Sequence, residues 1–150
     1  AQRIGEVVNA GGGDLDIARI RSAALVHDAA RCEADHAAAG ARLLERMGFP
    51  SLAAIVAVHM QIHVDDETPV DEAQVVYLAD KLVDGDAIVS LAARFDAKLK
   101  KYGLDPVAAD RIERHRRTAL TIQRKIERAA AAPLDRILAP VIAGEGCSAC

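Results

Sequence analysis

The sequence has no tryptophan, and aromatic residues make up only 3% of its 150 residues. It has no apolar run near the ~20 residues that a membrane-spanning helix needs, and no charged start followed by an apolar core, as a secretory signal has. Its three cysteines are an odd number and too few for a disulfide framework. The net charge of −3 creates no broad positive field. We therefore expect a cytoplasmic protein that binds neither membranes nor nucleic acid.

Hydrophobic residues make up 51% of the chain, and many of them are alanine. Alanine and leucine favour helices. Only residues 55–59 and 74–78 could be taken for buried strands, and both lie inside longer helical patterns. A chain of this length suits one domain. The sequence predicts an all-α bundle of seven to eight helices.

Capping residues, glycines and prolines predict where the helices begin and end. The chain opens at Ala1, inside an apolar pattern and without a methionine, so we expect its first helix to begin upstream. We expect one domain over residues 1–139 and a flexible tail over 140–150. The predicted helices run from about Ala1 to Asn9, from Asp14 or Asp16 to His27, from Asp35 to Gly48, from Pro50 to His59, from Pro69 to Val83, from Ile88 to Lys101 and from Pro106 to Ala132.

Titratable side chains interrupt apolar helical stretches at three places. His27 and Asp28 follow an apolar run, His59 ends another, and Asp80 lies within a third. A carboxylate on the buried part of a helix is unfavourable unless it is paired or bound to a cation. One shared cation would satisfy both acids and both imidazoles. Nitrogen and oxygen ligands without a thiolate suit zinc, iron, manganese or magnesium.

Neighbouring residues on a helix point ~100° apart. His27 and Asp28 can therefore converge on one metal ion only at the end of a helix or in a cleft. The polar segment that begins at Arg31 supplies such an end.

Each of these residues also has a purely structural interpretation. A histidine on an apolar face is often bonded to a backbone carbonyl. Asp80 could pair with Lys81, Lys98 or an arginine, although neighbouring helix positions such as Lys81 do not face each other. We expect His63 to be exposed in a loop rather than to be an extra ligand, and His115 to be a core or interface histidine. The complete set of residues favours a metal site over several independent accidents.

The last predicted helix carries a narrow apolar stripe whose members are four and three residues apart. This spacing is typical of a bundle or coiled-coil contact. A structural bundle that forms a homodimer through this helix is therefore an alternative interpretation. The stripe consists of Ala108, Ile112, His115, Ala119, Ile122, Ile126 and Ala129.

Two motifs in this order resemble the HD superfamily of metal-dependent phosphohydrolases. They are Leu25-Val26-His27-Asp28 and Ala79-Asp80-Lys81-Leu82. Residues 35–44 resemble the HPxxGAxxL element of that superfamily, and His59 falls where its helix-four histidine belongs. The resemblance implies an HD-domain fold that holds one or two divalent ions, of Mn, Fe, Mg, Zn or Ni. The ligands that it implies are His27, Asp28, His36, His59 and Asp80.

The segment after Asp80 is similar to HD domains joined to molybdenum-cofactor nucleotidyltransferase-like domains. The similar residues are Asp80-Lys81-Leu82-Val83, Val89-Ser90-Leu91 and Arg94-Phe95. This closer likeness implies an attached nucleotidyltransferase-like domain as a partner.

The superfamily resemblance also implies an activity. A metal-activated water would hydrolyse a phosphomonoester or phosphodiester, such as a nucleotide. Asp28 and Arg31 would be the catalytic residues, with Arg31 neutralising the phosphate of a small-molecule substrate.

Two departures from the family pattern favour an alternative, a non-catalytic metal- or nucleotide-binding module that regulates an attached domain. The family's first ligand is a histidine on helix one, and no histidine precedes His27 here. The lysine of HDIGK versions is replaced by Arg31, which is a poor proton donor.

Overall fold

The computed structural model describes residues 1–142. These residues form eight helices and one short antiparallel hairpin, which confirms the all-α prediction. The elements are α1 (Gln2–Ala10), α2 (Ile17–Val26), α3 (His36–Arg46), α4 (Pro50–Val58), α5 (Glu72–Lys81), β1 (Val83–Asp84), β2 (Ala87–Ile88), α6 (Leu91–Tyr102), α7 (Pro106–Ala130) and α8 (Leu134–Ile142). None of the described helices is both long and apolar enough to cross a membrane.

Side-chain caps determine where most of the helices begin. The backbone N–H of Arg19 donates to Asp16 at 2.9 Å, so Asp16, rather than Asp14, caps α2. Such a cap satisfies a backbone donor that has no partner within the helix. The caps of the later helices are Asp35, Asp71, Ser90 and Asp105.

The start of α5 was predicted at the wrong residue. The helix begins at Glu72 rather than Pro69, because the Asp71 carboxylate accepts the N–H of Gln74 at 2.8 Å. A side-chain cap of this kind outweighs the preference of proline for a first turn.

A β-hairpin connects α5 to α6, where the sequence had predicted the ends of two helices. Val83 pairs with Ile88, and Gly85 has a φ of +63° in the turn between them. Glycine adopts this left-handed conformation without the steric penalty of a side chain. Residues 83 and 88, predicted to be helical, therefore lie in strands.

The end of the described chain is more helical than the sequence indicated. Helix α7 ends at Ala130, where Ala131 adopts a left-handed φ of +48°. Helix α8 then extends to Ile142, so residues 140–142 of the predicted flexible tail are helical. The rest of that tail, residues 143–150, lies outside the described residues.

The core has two parts. The larger one joins α1, α2, α5, α6, α7 and α8 around fully buried side chains such as Tyr77, Phe95 and Ile122. The smaller one lies between α3 and α4, where a Cβ added to Gly40 would come within 3.2 Å of Val56 Cγ1. The small glycine therefore allows the close packing of α3 on α4.

The apolar stripe of α7 packs inside the chain. Ile112, Ala119, Ile122 and Ile126 are all buried in the larger core. The stripe thus has an intramolecular partner, and the homodimer predicted from it stays a prediction.

Candidate metal centre

The candidate site lies where the ends of four helices meet. His27 follows the last residue of α2, His59 follows the last residue of α4, and Asp80 lies in the last turn of α5. His36 is the first residue of α3. A helix end allows neighbouring side chains to converge, as the sequence predicted for His27 and Asp28.

His27 and His59 are oriented in the same way. The ring nitrogen Nδ1 of His27 donates to the carbonyl of Ala24 at 2.8 Å, and that of His59 donates to the carbonyl of Val56 at 2.6 Å. In the neutral ring with its proton on Nδ1, Nε2 keeps its lone pair. Both rings therefore present Nε2 as a metal ligand, and the carbonyl bond is part of the site rather than an alternative to it.

Asp28 lies at the centre of the cluster. Its Oδ1 is 3.5 Å from His36 Nε2 and 3.6 Å from His59 Nε2. The two Nε2 atoms are 3.2 Å apart. Ligand atoms of these three residues all lie within 4.8 Å of one another, a group that could hold a metal ion.

Asp80 and His27 lie beside this group. His27 Nε2 is 3.6 Å from Asp80 Oδ1 and 3.9 Å from Asp28 Oδ2. The rings of His27 and His59 meet edge to face with centroids 5.1 Å apart. All five predicted ligands thus converge on one place.

Lys81 contacts Asp80, contrary to the expectation that its position on the helix made it a poor partner. Its Nζ donates to Asp80 Oδ2 at 2.5 Å and to the carbonyl of His59 at 3.3 Å, and it lies 4.6 Å from the centroid of the Tyr77 ring. The long, flexible lysine side chain folds back towards its neighbour, which an argument from helical angles does not consider. At 3% exposure, Lys81 is a buried charge that the sequence analysis missed as part of the site.

The environments of these groups shift their pKa values in different directions. The Asp80 carboxylate raises the pKa of His27, whereas burial, aided by the neighbouring imidazoles, lowers the pKa of His59. Burial opposes ionisation of Asp80, but His27 and Lys81 outweigh it and hold the pKa of that carboxyl well below its usual range. At neutral pH the site combines an ionised carboxylate with a neutral, buried imidazole, both of which suit a metal ion.

Arg31 lies at the edge of the cluster. Its side chain is 80% exposed, and its guanidinium is 3.6 Å from Asp28 Oδ2. The contact is loose, so Arg31 is free to turn towards an anion. His63, which we expected to be exposed, is exposed.

Two open cavities are lined in part by residues that neighbour members of the cluster in the sequence. One, of about 440 Å³, is lined by Ala29 and Ala30 after Asp28, and by the basic residues Arg42 and Arg46. The other, of about 590 Å³, has as its walls Asp35, Ala37, Ala38, Ala57, Met60, Gln61, Ile62 and His63.

The comparison with family models gives one match, to the HD domain, over residues 1–84. No curated protein matches the chain, and no solved structure matches it. The likeness to HD domains joined to molybdenum-cofactor nucleotidyltransferase-like domains gains no support from these comparisons. The matched residues cover more than half of the chain and include all five predicted ligands. The HD superfamily is one of metal-dependent phosphohydrolases that bind divalent metals. This chain belongs to the HD domain family.

Proposed function

We propose that this protein is a metal-dependent phosphohydrolase that acts on a phosphomonoester or phosphodiester of the nucleotide type. The observation that carries the proposal is the convergence of three imidazole Nε2 atoms on the two oxygens of Asp28. His36 Nε2 and His59 Nε2 lie 3.2 Å apart, so the two imidazoles are close enough to bind one cation in place of the proton that they share without it.

The donor set fits a divalent ion. His27, His36 and His59 would supply imidazole nitrogen atoms, and Asp28 and Asp80 would supply oxygen atoms. Imidazole and carboxylate ligands suit Mn²⁺, Fe²⁺ or Zn²⁺, and no thiolate is among them. Asp28 has one oxygen towards His36 and His59 and the other towards His27, so it would hold a metal ion together with these imidazoles.

A bound divalent ion supplies a water molecule of lowered pKa and neutralises charge on the phosphate. In the overall hydrolysis, the bond from phosphorus to the ester oxygen would be replaced by a bond to the water oxygen, and a proton of the water would pass to the departing ester oxygen. His27 and His59 keep their orientation throughout because their Nδ1 protons are held by backbone carbonyls. Lys81 keeps Asp80 ionised and in position, and Arg31 would bind the phosphate oxygens through a charge-assisted hydrogen bond.

Metal content and turnover test this proposal together. Protein reconstituted with Mn²⁺ should retain about one or two ions per chain after desalting, because the site has ligands for a bridged pair. It should also hydrolyse at least one compound in a panel of nitrophenyl phosphates and nucleotides. Asp28→Asn, which keeps the shape of the side chain, should lower turnover by roughly 10³-fold or more. Asp86→Asn, an exposed turn residue, is the matched control. A variant at Asp28 with unchanged turnover would contradict the proposal.

The regulatory alternative rests on two features of the sequence. No histidine precedes His27, and an arginine stands where HDIGK versions have lysine. A non-catalytic module would retain metal through Asp28 yet turn over no phosphoester in the panel. The attached nucleotidyltransferase-like domain and the homodimer also stay proposals, which a size measurement of the full-length protein would test.

A further inference from the structure

The cavity of about 440 Å³ lies between α3 and the segment that follows Asp28. Ala29 and Ala30 form part of one wall, and the side of α3 that carries Arg42 and Arg46 forms the other. This space is called the α3 cavity below. None of the five candidate metal ligands lines it, so the proposed hydrolytic chemistry gives it no role.

One wall of the α3 cavity continues from the candidate metal centre along a single side of α3. His36, the first residue of this helix, lies 3.5 Å from Asp28. Ala39, Leu43 and Arg46 line the cavity, and they follow His36 at intervals of three, four and three residues. Residues with this spacing lie on the same side of a helix. The wall therefore begins one turn after a candidate metal ligand.

The opposite wall also begins at the metal centre, and a glycine brings it close to α3. Ala29 and Ala30 directly follow Asp28 in the chain. A Cβ added to Gly40 would lie 3.9 Å from Ala30 Cβ and 4.0 Å from the carbonyl oxygen of His27. The segment after Asp28 thus packs on the middle of α3, with the cavity beside this contact.

The charged residues of the α3 cavity are two arginines and one acid. Arg42 and Arg46 lie four residues apart on α3, a spacing at which like charges repel each other. Glu33 also lines the cavity, and Glu45 lies three residues after Arg42. Neither acid forms an ion pair with either arginine, and neither guanidinium has any ion-pair partner among residues 1–142. The lining therefore carries an excess of positive charge.

This arrangement suits a phosphate group better than a carboxylate. A guanidinium group binds two oxygen atoms of an anion through parallel hydrogen bonds. The two oxygen atoms of a carboxylate are satisfied by one arginine, whereas a phosphate monoester has three acceptor oxygens and can engage a second one. The small side chains of Ala29, Ala30 and Ala39 leave room for such a group between the walls.

The two arginines lie further along α3 than the candidate metal centre. Arg42 and Arg46 follow His36 by six and ten residues, which places their Cα atoms ~9 and ~15 Å from it along the helix axis at 1.5 Å per residue. A phosphate that contacts both guanidinium groups is therefore a different group from one bound at the metal centre. A ligand that occupies both places carries at least two phosphate groups.

We propose that the α3 cavity binds a second phosphate group of the substrate through Arg42 and Arg46, and that the substrate carries at least two phosphates. The assignment to the substrate rests on the proposed phosphohydrolase function. The phosphate site by itself does not, because its side chains are different ones. Arg31, which contacts Asp28, would bind the phosphate that is hydrolysed, and the two α3 arginines would bind the one that is retained.

Cys32 provides a direct measure of occupancy, because it is exposed and lines the α3 cavity. In a Cys147→Ser/Cys150→Ser protein it is the only thiol. Inorganic phosphate, added with a chelator, should slow alkylation of Cys32 by iodoacetamide relative to chloride at the same ionic strength. Arg42→Met and Arg46→Met should each raise the phosphate concentration for half-protection by about fivefold or more, since each removes charge-assisted hydrogen bonds.

Three further variants sharpen this measurement. Arg117→Met removes an exposed arginine of α7 and should leave the protection of Cys32 unchanged. Ala39→Leu fills the cavity without changing its charge and should weaken protection, whereas Arg42→Lys keeps the charge and should retain part of it. Both α3 arginines are exposed, so their replacement should not affect folding. No protection in the wild-type protein, or equal protection in Arg42→Met/Arg46→Met, would overturn the proposal.

Turnover distinguishes a phosphate of the substrate from free phosphate. A nucleoside bisphosphate, with phosphates on different ribose oxygens, should have a lower KM than the matching nucleoside monophosphate. Arg42→Met and Arg46→Met should raise the KM of the bisphosphate and leave that of the monophosphate unchanged. Equal KM values for the bisphosphate in these variants and in the wild type would overturn the assignment to the substrate, even if phosphate protects Cys32.

The phosphate site and the hydrolytic function fail in different ways. Asp28→Asn should lose turnover but keep the protection of Cys32 by phosphate in chelator. If phosphate protects Cys32 through Arg46 but no phosphoester is hydrolysed, the phosphate site stands and the proposed function falls. If turnover depends on Asp28 but KM and protection are the same in Arg46→Met and the wild type, the phosphate site falls and the function stands.

Discussion

The candidate metal centre and the contact between α6 and α7 differ in how their titratable side chains are partnered. On the side of α2, α3 and α4, three imidazoles lie 3.5–3.9 Å from the oxygens of Asp28. On the side of α6 and α7, Lys98 and His115 have no acceptor among the described residues. The first arrangement offers imidazole and carboxylate ligands that suit a metal ion, whereas the second is a pair of half-buried basic side chains.

Metal binding should give the largest change in stability. This change should depend on the imidazoles around Asp28 and not on residues of α6 or α7. Mn²⁺ at a hundred times its Kd should raise the free energy of unfolding by about 2.7 kcal/mol. This increment should vanish in His59→Gln, because the ring nitrogen that faces Asp28 is lost. Denaturant unfolding with and without Mn²⁺ measures it.

Two controls sharpen this test. Lys98→Met and the exposed His63→Gln should both keep the full increment. Equal loss of the increment in Lys98→Met and His59→Gln would show that the two sides are not separate.

Lys81 should link the two sides. Breaking a fully buried ion pair costs roughly 3–5 kcal/mol, and Asp80 is partly exposed, so Lys81→Met should destabilise the metal-free protein by about 2 kcal/mol. Since the variant leaves Asp80 without its cation, Mn²⁺ should stabilise it more than it stabilises the wild type. Chemical unfolding in chelator and in Mn²⁺ gives both values, with Lys100→Met as the control. Equal stabilisation of variant and wild type by Mn²⁺ would argue against Asp80 as a ligand.

The cap of α6 should affect the stability of the protein without changing its stabilisation by Mn²⁺. Ser90 accepts the N–H of Ala93 at 3.1 Å, so Ser90→Ala should cost about 1 kcal/mol. Ser90→Asn, which can also cap, should recover most of that stability. Thermal unfolding provides the measurement, and the Mn²⁺ increment should be unaltered in both variants. A changed increment would mean that α6 contributes to the metal centre.

The smallest expected effect concerns pH, and its sign differs between His115 and His27. The folded-state pKa of His115 lies below 6.5, so the unfolded chain binds the extra proton and stability falls as pH drops through this window. His115→Gln should therefore lose less stability than the wild type between pH 7 and pH 5.

His27 should behave in the opposite way in the metal-free protein. Its folded-state pKa is raised, so its contribution to stability is complete below pH 6.5 and is lost as pH rises through the folded pKa. His27→Gln should remove that contribution. Unfolding free energies at several pH values in chelator measure both contributions, and a pH dependence that is the same in His27→Gln and in the wild type would contradict the raised pKa of His27.

The sequence allowed much of the metal centre to be predicted because its residues break an apolar pattern. Apolar helical stretches are interrupted by titratable residues at His27, Asp28, His59 and Asp80. The loop after Ala30 indicated a helix end. Of the predicted ligands, Asp28, His36 and His59 form a group that could hold a metal ion, and the full ligand set stays a prediction. The helix boundaries were less accurate, since the cap at Asp71 and the left-handed turn at Gly85 displaced two of them.

The surroundings of Lys98 and His115 could not be predicted from the sequence, for a physical reason. Lys98 and His115 look like a surface lysine and a core histidine, since each follows the ordinary pattern of its own helix. Only the packing of α7 on α5 and α6 decides how far each side chain is buried. The sequence by itself determined the helical class and indicated the candidate ligands, because periodicity and the penalty for buried charge are local properties. The tertiary structure alone decided which charges are compensated, because that depends on distances between helices far apart in the chain.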